Sequence, residues 1–210
     1  MTESLKIRLV EAGAFERPVK LRLPFRFGAA TLREARQIFL RVRIEDASSR
    51  SAEGMAAELM VPKWFDKSPE LSNADNENQL RRSLALALDV LQSAGLGTAF
   101  GLHAAVEAAH HTRAAAEKLN GLVASFGLAL ANRAILDALC RLEGLTVAQA
   151  IKVNRPGIDA STAHDLSSFD LSGFLSTLEP ARSLAARHTV GLVDAIVPGD
   201  IPEGDRKSVV

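Results

Sequence analysis

The chain has 210 residues, 47% of them hydrophobic, which suffices for one large domain with a sizeable core. Its 25 Lys and Arg balance its 25 Asp and Glu, so no overall field points to nucleic acid or to an anionic membrane. A single cysteine excludes an internal disulfide framework, "MTESLKIRLV" lacks a secretory h-region, and no apolar run approaches the roughly 18 residues of a membrane helix; together these predict a soluble, cytoplasmic protein in a reducing compartment.

The first sixty residues read as strands. "LKIRLVEAGAF" and "VKLRLPFRF" alternate in character. In "QIFLRVRIED", Ile38, Leu40, Val42 and Ile44 fall on one face and Arg41, Arg43 and Glu45 on the other, the period of two that marks a half-buried strand. "DASSRS" is a polar turn and "AEGMAAELMV" its return strand. The expected arrangement is a three-stranded antiparallel meander, with 24–32 bulging from one end as a loop. "PKWFDKSP" then reads as one irregular turn of helix.

From Ser72 the period becomes helical. Ser72 stands three residues before Asp75, a capping signal, and Leu80, Leu84, Leu88 and Leu91 form one stripe. A second helix is expected over about 98–119. A third, "ANRAILDALCRLEG", buries Ala131, Ala134, Ile135, Ala138, Leu139 and Leu142 and stops at Gly144. "TVAQAIKV" and "DLSGFLSTL" give two short helices. "RHTVGLVDAI" has the apolar, β-branched texture of one buried strand, and "VPGDIPEGDRKSVV" that of a disordered tail. The fold class is therefore α+β, a meander followed by a helical bundle.

Few residues carry an obvious chemistry. In "HAAVEAAHH", His103, Glu107 and His110 recur at helical spacing, with His111 beside them. One helix rarely closes a metal site alone, so the plainer reading is a boundary helix with histidines between core and solvent. "GLGTAFG" lacks the dinucleotide spacing and follows a helix, so it reads as a turn between helices. Cys140 belongs to an apolar stripe as an inert buried thiol, and Asp137 and Glu143 lack a partner base. Two aromatic stretches stand out: Phe25, Arg26 and Phe27 before Gly28, and the turn formed by Lys63, Trp64, Phe65 and Asp66. Both leave the same small sheet, where binding residues often sit; the competing reading is that the rings fold back to cap the sheet's own core.

The order of these segments, the meander, then the helices ending in "ANRAILDALCRLEGLTVAQAI", then "HTVGLVDAI", resembles the start of the enolase superfamily in its mandelate racemase and muconate lactonizing branch. The resemblance spans about 5–196 and rests on segment order and texture. It implies a capping domain over 1–150, a helical connection over 151–187, a first barrel-like strand at 188–196, and a disordered tail from 197 to 210. In that family a barrel holds Mg²⁺ and its bases abstract a proton next to a carboxylate, giving an enediolate and then dehydration, racemisation or cycloisomerisation. A full barrel takes about 250 residues, so the resemblance implies no catalytic residue and no metal ligand here, and a chain without turnover of its own.

What the resemblance does carry over is two loops that close on the barrel mouth and select the substrate. Phe25, Arg26, Phe27, Gly28, Met60, Lys63 and Trp64 would then contact a carboxylate-bearing small molecule such as an acid sugar. Arg26 would grip its carboxylate as a bidentate fork, while the rings exclude water. Exposed barrel-facing surface would favour a homo-oligomer or self-association. The alternative is a stand-alone module that binds a small molecule or protein without catalysis.

Overall fold

Period-two alternation produces three strands: β1 (Ile7–Phe27), β2 (Ala30–Asp46) and β3 (Ser51–Met60). They pair in chain order as the expected antiparallel meander, with β2 in the middle. The computed structural model describes residues 4–27, 30–160 and 162–187, and also 197, 199, 201 and 203. The strand expected at 188–196 and most of the expected tail lie outside the described residues.

The alternation in β2 is realised in full: Ile38, Leu40, Val42 and Ile44 are all buried against the helices. The opposite face stays open. There Phe15 pairs with Phe39 across the ladder, and guanidinium groups lie over both rings, Arg17 over Phe39 at 5.2 Å and Arg41 over Phe15 at 5.8 Å.

The chain from 24 to 32 is not the expected bulging loop. β1 continues to Phe27 and pairs Phe25 with Leu32, Arg26 with Thr31 and Phe27 with Ala30. The disturbance sits one step earlier. Between Lys20 and Phe25 the register shifts, so that five steps along β1 match two along β2. Pro24 falls inside this irregularity, on an edge strand, where its missing N–H costs no ladder bond. β3 ends at Met60, opposite Arg36, so the rest of the β1–β2 hairpin projects beyond the sheet as a two-stranded arm.

Among the described residues five α-helices follow: α1 (Asn73–Ser93), α2 (Ala99–Ala116), α3 (Gly121–Glu143), α4 (Val147–Lys152) and α5 (Leu171–Thr177), with a 3₁₀ turn at His164–Leu166. Caps fix their starts. Ser72 and Asp75 form a reciprocal capping box on α1, as their spacing predicts, and Thr98 and Asn120 cap α2 and α3. Gly144 ends α3 at φ 65°, the left-handed closure expected of it. The "GLGTAFG" turn does more than join helices: the Gly97 N–H and carbonyl exchange hydrogen bonds with Ile7, which extends the start of β1.

α3 begins ten residues before the periodic stretch "ANRAILDALCRLEG" that predicts it. Its first half, "GLVASFGLAL", buries Val123, Ala124, Phe126, Gly127, Leu128 and Leu130, while its exposed positions, Leu122 and Ala129 among them, are also mostly apolar, so no amphipathic stripe shows in the sequence. α3 is long and apolar enough to cross a membrane, and 61% of its most apolar window is buried inside the fold as the core helix.

Two glycines set how closely α3 packs. A Cβ on Gly54 of β3 would stand 2.2 Å from the Ala138 nitrogen, and one on Gly127 of α3 would stand 2.3 Å from the Ser83 carbonyl oxygen of α1. Backbone thus touches backbone at both junctions. At the second, the Ser83 hydroxyl donates to the Ala124 carbonyl (2.8 Å) and accepts from the Gly127 N–H (3.0 Å).

Candidate functional site

The two aromatic stretches do converge, at the end of the sheet where the arm leaves it. Leu21, Phe25 and Leu32 of the arm face Glu58, Leu59, Val61, Trp64 and Phe65 across a groove of about 500 Å³. Phe25 and Leu32 are direct cross-strand partners, so continuing the ladder places both on one face of the arm. The far wall is the connection from β3 to α1, and it is tightly built. The Trp64 N–H turns back to the Val61 carbonyl (3.3 Å). Phe65 packs edge-on against Phe126 of α3, with centroids 5.3 Å apart, and the Asn120 side chain donates to its carbonyl (3.2 Å). Asp66 accepts from the Ser68 N–H and from the Gln79 amide, and these bonds hold its carboxyl below the usual carboxylate range.

This stretch is a tight turn and not the expected turn of helix, because Lys63 adopts the left-handed backbone conformation at φ 64°. Its N–H donates to the buried Asn76 side chain of α1 (3.1 Å). Its ammonium donates to the carbonyls of Ser68 (2.8 Å) and Leu71. The Lys63 ammonium thus ties the connection together from Ser68 to Leu71.

The other expected contacts separate. Met60 is fully buried in the core and lines no groove: it is the last paired residue of β3 and points inward with Ile38 and Leu40. Arg26 is exposed and, one residue along a paired strand from Phe25, falls on the opposite face of the arm from the groove. Phe27 closes the ladder against Ala30, and Gly28 lies outside the described residues. Trp64, 53% exposed, and Phe25 are the two expected site residues that the groove brings together.

Phe65, part of the Lys63–Asp66 turn that the sequence singles out, lines the groove with them, and Leu21, Leu32, Glu58, Leu59 and Val61 complete the lining. The usable signal was the hairpin register, which sets Leu32 opposite Phe25. Among the described residues Glu58 is the one ionisable group in the lining, and it already pairs with Arg133 of α3 at 2.9 Å. The described lining can therefore take up an apolar surface and brings no pair of groups together for acid–base chemistry.

The histidines of α2 do not converge. His103 keeps its Nε2 3.7 Å from Glu107 and its Nδ1 2.9 Å from the Asn132 amide. His110 turns inward, is fully buried, and brings Nε2 to 2.7 Å from the Ala124 carbonyl, which fixes the hydrogen on Nε2. Burial pushes its pKa down. Cys140 is buried as expected, and burial pushes its thiol pKa up, away from nucleophilic use. Among the described residues no group of three or more His, Cys, Asp or Glu side chains gathers as a metal site would require.

No family model matches the chain, and a search of the curated proteins finds no match.

Proposed function

We propose that this chain is a substrate-covering domain, similar to the capping domain of the enolase superfamily's mandelate racemase and muconate lactonizing branch. In this reading it closes over a carboxylate-bearing small molecule held in a barrel. The observation that carries the reading is the groove. A projecting hairpin arm and the β3–α1 connection meet at one end of a three-stranded meander, and both present apolar side chains there. A lid needs this placement: a part that projects over the substrate and a base anchored by a core.

A second feature agrees with a docking role. Downstream of α4 the chain exposes large apolar groups, among them Phe169 and Phe174, whose rings lie 5.6 Å apart, and Leu184, which is 89% exposed. A barrel would cover such a surface. The Mg²⁺ of that family would need ligands from outside the described residues, so this chain's part is to enclose substrate and exclude water, and the enediolate chemistry belongs to the barrel.

The test is to read the coding DNA beyond the Val210 codon in all three frames. The expected result is a frame that continues with alternating strands and helices, a Lys-x-Lys on a strand, and three acidic residues at successive strand ends. A region with no such frame overturns the reading and leaves a stand-alone binding module.

A further inference from the structure

We infer that the pocket between the start of α2, the middle of α3 and the loop after α4 is a binding site for a small, neutral aromatic molecule that carries a hydrogen-bond donor, of the phenol or indole type. The site shares no lining residue with the arm groove. It lies toward the opposite end of β1, where Gly97 pairs with Ile7 just before α2.

Three segments build it. α2 contributes Phe100 and His103, α3 contributes Asn132 and Leu136, and Ile151 and Ile158 close it from α4 and the loop beyond. Each helical pair stands three or four residues apart and so shares one helix face. The loop wall is tied down. The Pro156 carbonyl accepts from the Phe100 N–H (2.9 Å), and the Asn154 side chain donates to the Ile158 carbonyl (2.9 Å) and accepts from the Ile158 N–H (2.7 Å). Gly157 turns at φ 71° so close to Thr98 that a Cβ would stand 2.7 Å from the Thr98 Cβ. Between these walls is a cavity of about 280 Å³. Roughly 150 Å³ is enough for benzene, so one substituted ring fits.

The polar groups narrow the ligand class. The Asn132 amide nitrogen lies 2.9 Å from His103 Nδ1. An amide nitrogen only donates, so Nδ1 accepts and the ring hydrogen sits on Nε2, 3.7 Å from a Glu107 carboxylate oxygen. Asn132 Oδ1 is buried and meets no donor among the described residues. A buried acceptor without a donor is costly, and a ligand that brings one recovers that cost. Apart from Asn132 and His103 the described lining is carbon, which favours an aromatic ring. Water can donate to the same oxygen but covers none of that carbon. No Lys, Arg, Asp or Glu lines the pocket among the described residues, so an ionised acid would be buried there without a counter-charge.

Fluorine NMR titration of the full chain at pH 7 tests this with para-fluorophenol, para-fluorotoluene and para-fluorobenzoate. A phenol is neutral at that pH. The expected result is saturable broadening with the phenol, binding of the toluene weaker by about three- to tenfold for want of the donor, and no saturation with the benzoate. Asn132→Leu removes the acceptor and keeps the bulk. It should weaken the phenol by about the same factor and leave the toluene within about twofold. Ile151→Phe fills the pocket and should weaken both at least about tenfold. Leu136→Phe fills it from another wall and replaces whichever variant fails to fold, as read by circular dichroism.

Equal affinity for the phenol and the toluene would overturn the inference by showing that no donor is recognised. Benzoate binding as tight as the phenol would overturn it by showing that charge is accepted. Variants that bind the phenol as the wild type does would place the ligand elsewhere on the chain, and saturation by none of the three would leave a pocket for water alone; each result ends the inference. None of them bears on the substrate-covering reading, which the downstream coding DNA decides.

Discussion

The two ends of the sheet are built on opposite principles. Around Gly54 the sheet carries α3 so closely that a single added carbon would collide with helix backbone. Beyond the pairing of Arg36 with Met60 the sheet thins to the two-stranded arm, whose Leu21, Phe25 and Leu32 line an open groove. At the first end, apolar side chains and backbone interlock. At the second, apolar side chains are left partly uncovered. Folding pressure accounts for the first arrangement and gives no reason for the second.

The sharpest way to break this comparison is to overfill the close junction. Gly54→Val should destabilise the protein by roughly 3 kcal/mol or more, because the clash is with the Ala134 and Ala138 backbone and no flexible side chain can yield. Urea denaturation would read it as a lower midpoint. An unchanged midpoint would show that α3 does not rest on β3 and that the two ends differ less than described.

A second, smaller effect tests the same interior by pH. His110 donates from Nε2 to Ala124, while no donor among the described residues meets its Nδ1. Burial lowers its folded pKa below the ordinary 6.5, with the nearby His111 and His103 acting in the same direction. A proton therefore binds more readily to the unfolded chain. The stability present above pH 6.5 should fall as pH drops below it, by at most about 1.4 kcal/mol per pH unit. His110→Gln keeps a donor for Ala124 and cannot titrate. Its unfolding free energy should be flatter than the wild type's between pH 7 and about 5.5, above the range where the carboxylates respond. Parallel pH curves for the two proteins would mean that His110 is not sealed from water.

Much of the interior could be read from the sequence because its rules are local. The alternation of Ile38 to Ile44 placed β2, the Ser72–Asp75 spacing placed the start of α1, and Gly144 placed the end of α3. The first half of α3 escaped because its exposed face, with Gly121, Leu122 and Ala129, is nearly as apolar as its buried one. The candidate site was only half legible, since aromatic character drew notice to Phe25 and Trp64 but could not tell wall from core. Met60 went inward because it is in register with the buried face of β2. Lys63 went to two carbonyls because a left-handed turn brought them to its ammonium. Both outcomes depend on register and turn geometry, which residue type does not encode. Gly54 and Gly127 gave no sign of their role, because the helix that each admits is distant in sequence.

The smallest expected effect is at the arm, and there its smallness is the informative result. Leu32 is half-buried and sits where only two strands pair. Leu32→Asp should change the urea midpoint by an amount equivalent to under about 1 kcal/mol, far less than the cost of filling Gly54. A large stability loss would place Leu32 in the core and make the groove a packing defect. A small loss would separate the carbon that holds the fold together from the carbon left uncovered at the groove.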